Sequence, residues 1–378
     1  MTACDDCLRR AWLLGRVAGY VERARHDQVR LRDVLALDDR SLIAAVGAGE
    51  APAVARAWAE LSVETVRAAA ATAGLVCVCP HGPAGYPARL RDVAGAPRAL
   101  FVAASDPDRA VRLLGDDGAT PPAAVAIVGA RRATAAGLEV ARGLGRGLAA
   151  AGVTVISGMA LGVDAAAHAG ALEVHGPTVA VLAGGADVAY PASKRHIHRE
   201  LIADHCVVSE MPPGLRPHRW CFPARNRTIA GLAQLTVVVE AATRSGSLIT
   251  ADFATQMGRD VAAVPGSVLA TQSEGTNALL RDGAILVRDT QDVLDALFDA
   301  GCLTARPSAA ASTAAARVGA LEPRLRDLLD EVCAGRDSLE ALIREPGDAQ
   351  DAMAGLAELE LLGVLRRATG GHYLPAAG

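Results

Sequence analysis

Between Ala123 and Val287 the chain alternates short, wholly apolar runs with longer segments whose apolar positions recur every three to four residues. The runs are AVAIVG, VTVIS (Val153 to Ser157), TVAVLAGG (Thr178 to Gly185), CVVSE (Cys206 to Glu210), LTVVVEA (Leu235 to Ala241), VAAVPG (Val261 to Gly266) and AILV (Ala284 to Val287). They are rich in β-branched residues and lack the polar alternation of a half-exposed strand, which fits strands covered on both faces. Alternation with helices then predicts an α/β fold over residues 123–300, built on a doubly wound, mostly parallel sheet. In such a sheet ligands sit beyond the carboxyl ends of the strands, where the strand order switches, so the residues after each run matter most.

The flanks read differently. Residues 1–73 carry helical periodicity in AWLLGRVAGYV and LRDVLALDDRSLIAAVGAG and predict a small helical domain. Residues 74–122 are punctuated by proline and glycine and read as an irregular lead-in. An Ala/Ser/Pro/Thr linker over 301–318 leads to a domain at 319–378, where three helices, a glycine turn and a short extended end predict a winged-helix-like unit. Its acidic residues Glu340, Glu345, Glu358 and Glu360 leave DNA contact and protein contact both open as its role.

Half of the residues are apolar (51%), yet no run of about 18 uncharged apolar residues occurs, and the opening MTACDDCLRR is acidic. A cytoplasmic protein with no membrane segment is expected. Net charge is −4, but residues 121–230 hold eleven arginines and lysines against seven acids, so a basic face on the central domain is allowed. Eight cysteines spread over an intracellular chain argue against a disulfide framework. Cys4 and Cys7 form a C-x-x-C that, with Cys77 and Cys79, reads either as a zinc site or as ordinary buried thiols.

Four stretches carry candidate chemistry. In VAIVGARRATAAG the turn after the first run has Arg131 and Thr134 where a dinucleotide fold needs glycines, and the second run ends in Ser157-Gly158 with no acid for a ribose. Nicotinamide and flavin lose their supports, and no cofactor is expected. Arg131 beside the Thr134 hydroxyl and free helix amides suits an external phosphate, and Ser157 with the Gly158 amide suits a second. Asp164 and His168, one helical turn apart, read as a polar core pair because no third ligand stands nearby. WCFPARNRTIAG sets Trp220 and Phe222 beside Arg219, Arg225, Asn226 and Arg227, the mixture of stacking and charge that holds single-stranded nucleic acid. The competing reading is a loop in which Phe222 plugs the core and the arginines pair with Glu210 and Glu240. EAATRSGSLITA offers Ser245, Gly246 and Ser247 at a helix start, another anion cap. Neither a P-loop nor a G-x-S-x-G elbow occurs, and no catalysis is expected.

With YPARL, SGMALGVDAAAH, TVAVLAGGADVAYP, SEMPPG and AVPG in order between them, these stretches make most of the chain resemble the DprA/Smf family of bacterial DNA-processing proteins. The resemblance implies a Rossmann-like domain that binds single-stranded DNA, forms a homodimer and passes the strand to the RecA recombinase in natural transformation. It also implies Arg131 as a phosphate ligand, Lys194 as a pocket cation, Arg219 as a strand contact and Phe222 as the stacking ring. A second class remains open: related Rossmann-like folds include nucleotide phosphoribohydrolases, but their P-G-G-x-G-T-x-x-E loop is replaced here by S-G-S-L-I-T-A.

Overall fold

The structure is a computed structural model. It describes residues 3–298, apart from 27–30, 48, 83–84 and 116–120, and residues 321–375, apart from 334–335, 337, 344–348, 363 and 368–372. The chain divides into two compact units, Met1–Thr304 and Ala305–Gly378.

The first unit is built on a nine-stranded sheet in the order β1-β2-β6-β5-β4-β3-β7-β8-β9. The strands are β1 (Leu75–Val78), β2 (Leu100–Ala103), β3 (Ala124–Val128), β4 (Thr154–Ser157), β5 (Thr178–Val181), β6 (Cys206–Ser209), β7 (Leu235–Val238), β8 (Asp260–Ala263) and β9 (Ile285–Leu286). From β6 to β9 every pairing is parallel. All seven apolar runs are strands, and both faces of the central ones are buried. In β3, Ala124, Ala126 and Val128 enter one hydrophobic cluster, while Val125 and Ile127 enter the cluster on the other face. A strand packed on both faces has no use for polar alternation.

Residues 75–78 and 100–103, inside the stretch read as an irregular lead-in, are instead β1 and β2. They extend the sheet with antiparallel pairings, β1 to β2 and β2 to β6, with Val102 opposite Val208. Before them, six helices lie between Asp5 and Thr72 among the described residues, in the same compact unit as the sheet. The buried Trp220 ties these helices to the main body: its ring nitrogen donates to Ala18 O (2.9 Å) and its amide donates to Glu22 (2.8 Å). Trp220 is therefore core, not a stacking platform.

Chain order reverses at β3: β4 lies on one side of it and β7 on the other. This switch point opens a crevice at the carboxyl ends of β3, β4 and β7. The second unit has helices Pro323–Cys333, Leu339–Leu342 and Ala349–Leu361, then an antiparallel ribbon of β10 (Leu365–Arg367) and β11 (Tyr373–Pro375). Leu325, Leu329, Leu356, Leu359 and Leu365 form its core. The linker proposed at 301–318 lies outside the described residues.

Candidate nucleic-acid interface

A cleft of about 400 Å³ lies at the switch point. It is lined by Arg131 from the turn after β3, by Arg219, Phe222, Arg225 and Asn226 from the stretch entering the helix Cys221–Leu232, and by Ser245, Gly246 and Ser247 at the start of the helix Gly246–Gln256. A side cavity of about 70 Å³ shares Arg131, Phe222 and Arg225 and adds Gly158, Tyr190 and Pro191. Three motifs far apart in sequence thus meet in one place.

The turn after β3 is held by backbone. Ala130 N donates to Glu240 O (2.7 Å), and Val163 N donates to Ala130 O (3.3 Å). Gly162, at φ 82°, passes so close that a Cβ there would lie 2.1 Å from Ala130 O. This leaves Arg131 pointing outward and exposed. Its guanidinium lies over the Phe222 ring, 4.6 Å from the centroid, and the Tyr190 ring stands 5.8 Å from Phe222 at 55°. Phe222 is half-buried and Tyr190 is 46% exposed. Arg219 is exposed at the same rim, and neither Arg131 nor Arg219 forms an ion pair among the described residues. The result is an exposed cation stacked on a half-buried ring with an exposed aromatic neighbour.

Other expected contacts have different work. Thr134 caps the helix Ala135–Ala150: its hydroxyl accepts from Gly137 N (3.0 Å) and donates to Glu240 Oε1, while its amide donates to Glu240 Oε2 (2.9 Å). The anion at this helix start is therefore the chain's own carboxylate. Gly137 permits it, because a Cβ there would lie 2.4 Å from Glu240 Cδ. The Thr134 hydroxyl and amide are thus already engaged within the chain. Ser157 is fully buried and donates to Ile127 O (2.6 Å), fastening β4 to β3. Gly158 is also buried, but its backbone lines the side cavity, and a Cβ there would strike the Arg225 guanidinium at 1.3 Å.

Arg225 is 5% exposed beneath the cleft. It donates to Val181 O (3.0 Å) and faces Asp164 Oδ2 at 3.8 Å, and burial raises the Asp164 carboxyl against Arg225's opposing pull. Its burial sets it in the floor of the cleft rather than on the rim. Arg227 turns away from the cleft into bonds with Glu210 and Gly95 O, locking its helix to the segment before β2. The alternative reading, arginines paired with Glu210, holds at this position. Lys194 is half-buried in a short turn, Ala192–Lys194, and lines neither cavity. Asn226 donates to Gly246 O (3.0 Å), joining the two helices that frame the cleft. Ser245 caps its helix, accepting from Ser247 N (3.3 Å), and Ser247 is buried. Gly246, with open space around it, presents backbone to the cleft.

His168 is buried against Thr178 (2.8 Å), and burial pushes it down to about 3. With Asp164 facing Arg225, the pair is part of the polar core. Tyr190 was not singled out from sequence. Its signal is the AYP that ends the stretch after β5, which shows an aromatic residue but not its distant partner.

A Rossmann-like α/β protein with a cationic, aromatic cleft at its switch point is the class that this fold and site define. Residues 78–298 match the profile of the family described as DNA recombination-mediator protein A, and the chain belongs to that family. It is 46% identical over 246 residues to the putative DNA processing protein DprA of Mycobacterium tuberculosis, an alignment covering 63% of this chain and 62% of that one. It is 45% identical over 170 residues to the DNA processing protein DprA of Streptococcus pneumoniae, covering 45% and 60%. The chain thus spans less than two thirds of these relatives' length. The X-ray structure of the Streptococcus pneumoniae protein aligns with a TM-score of 0.61 at 31% identity, covering 79% of this chain and 99% of that one. DNA processing protein A from Helicobacter pylori, described for its single-stranded DNA binding mode, aligns with a TM-score of 0.50 at 26% identity, covering 58% and 98%.

Proposed function

We propose that the protein binds single-stranded DNA in the switch-point cleft. The observation that carries this is the exposed stack of Arg131, Phe222 and Tyr190 with Arg219 on the same rim. The half-buried Phe222 ring in the cleft wall, with the exposed Tyr190 ring beside it, offers a surface to an unpaired base, and arginines that form no ion pair among the described residues meet the phosphates on either side of it. A base paired in a duplex is not free to lie on that ring. Kinship with the Helicobacter pylori protein supports the same ligand. Arg131 and Arg219 are the phosphate contacts, Phe222 and Tyr190 the stacking rings, Gly246 a backbone donor and Arg225 a buried cation. The protein works as a dimer that protects the incoming strand and passes it to the RecA recombinase, without catalysing a reaction itself. The C-terminal unit is a winged-helix-like accessory.

The test is fluorescence anisotropy with matched single-stranded and blunt duplex oligonucleotides over a range of salt. Single strands bind more tightly, and their affinity falls as salt rises because neutralised phosphates release counterions. Equal affinity for the two overturns the reading. Assembly of RecA filaments with and without the protein tests the hand-over separately.

A further inference from the structure

The cysteines left unused by the nucleic-acid cleft converge elsewhere. Cys4 stands at the N-cap position of the helix Asp5–Arg16, Cys7 lies in its first turn, and Cys79 directly follows β1. Their three sulfurs all lie within 4.8 Å of one another. The backbone brings them there: Ala3 N donates to Cys77 O (2.9 Å), laying the N-terminal segment along β1, and Cys4 N donates to Cys79 Sγ (3.3 Å). Cys7 and Cys79 are buried and Cys4 is half-buried, which leaves a side open to solvent. Cys77, buried in β1, is not part of the close set.

We propose that Cys4, Cys7 and Cys79 bind a zinc ion that clamps the N-terminal helix to the edge of the sheet. Zinc–thiolate bonds of about 2.3 Å in tetrahedral geometry put sulfurs slightly under 4 Å apart, so the observed grouping needs little movement to close on one ion. C-x-x-C is a zinc-pair spacing, and here a third sulfur arrives from 72 residues further along the chain, as it does when a site forms on folding rather than from a local loop. An amide aimed at Cys79 Sγ is the outer contact that steadies a thiolate ligand, and the helix start favours negative charge at Cys4. Simple hydrophobic packing of thiols calls for neither the C-x-x-C nor the amide. Three thiolates leave one tetrahedral position for water, and binding displaces the thiol protons, so affinity rises with pH.

The test uses the full chain, purified under reducing conditions. Metal analysis finds about one zinc per chain, and cobalt(II) put in its place shows sulfur-to-metal charge-transfer absorption with intense tetrahedral d–d bands. Cys4→Ser, Cys7→Ser and Cys79→Ser each lose the bound metal, whereas Cys206→Ser, at a buried cysteine in β6, keeps it. Because Cys7 and Cys79 are buried and their variants can misfold, the half-buried Cys4→Ser and the cobalt spectrum of the unaltered chain carry the decision. A reduced, folded chain that stays metal-free in buffered micromolar zinc overturns the proposal, as does bound cobalt without sulfur charge transfer.

Discussion

Replacing Phe222 by alanine separates stacking from packing. The ring is half-buried, with Arg131 over it at 4.6 Å and Tyr190 at 5.8 Å. A base stacked on it contributes about 1–3 kcal/mol, so single-stranded DNA affinity falls about 5- to 150-fold. No charge is removed, and the dependence of log affinity on log salt keeps its slope. Loss of a fully buried phenylalanine costs about 3–5 kcal/mol, and a half-buried ring about half of that, which lowers the melting temperature by several degrees. Phe222→Leu restores most of the packing and none of the stacking, and Phe222→Tyr restores both. Anisotropy at several salt concentrations, with melting followed by circular dichroism, reads all three variants. The stacking role fails if Phe222→Leu binds as well as the unaltered protein, or if Phe222→Ala binds normally while melting far lower.

Arg131→Ala removes a charge that forms no ion pair among the described residues, so affinity drops for every sequence and the salt slope shrinks by about 0.7, one single-strand phosphate contact; anisotropy on two unrelated oligonucleotides checks both. Arg225→Ala leaves Asp164 buried and unpaired and costs about 3–5 kcal/mol, seen as a lower urea midpoint; a fully stable variant with selectively weak DNA binding would show Arg225 to be a direct contact instead. Burial pushes His168 down to about 3 and His205 down to about 4, from an ordinary 6.5. Below that ordinary value the unfolded chain takes up protons the folded chain refuses, so stability present above it is lost as pH falls toward 4, by about 1.4 kcal/mol per pH unit per histidine. Urea midpoints between pH 7 and pH 4 should therefore decline, and decline less steeply in His168→Gln.

The seven β-branched runs needed no partner to be read as strands, because a strand buried on both faces writes its environment into every residue. The crevice at their carboxyl ends followed from the alternation of strand and helix, and Arg131 at a strand end and Arg219 and Phe222 at a helix start were legible as candidates because charge and aromaticity are local facts. β1 and β2 were not visible: LVCV and LFVA stand in a stretch punctuated by proline and glycine, and the pairing of β2 with β6 joins residues more than a hundred positions apart. Separation along the chain also hid which polar residues are spent internally. Thr134 meets Glu240 across 106 positions, Ser157 meets Ile127 O across 30, and Arg227 meets Glu210 across 17. Sequence marks each as able to hold a phosphate but cannot show that a neighbour in space already uses the donor, since hydrogen bonds and ion pairs are satisfied by position in three dimensions. Composition and local pattern thus determined the sheet and the chemical character of its open end. Tertiary packing chose which side chains stay free to meet a ligand, because burying a polar group demands a partner, and residues that find one inside the fold no longer offer it outside.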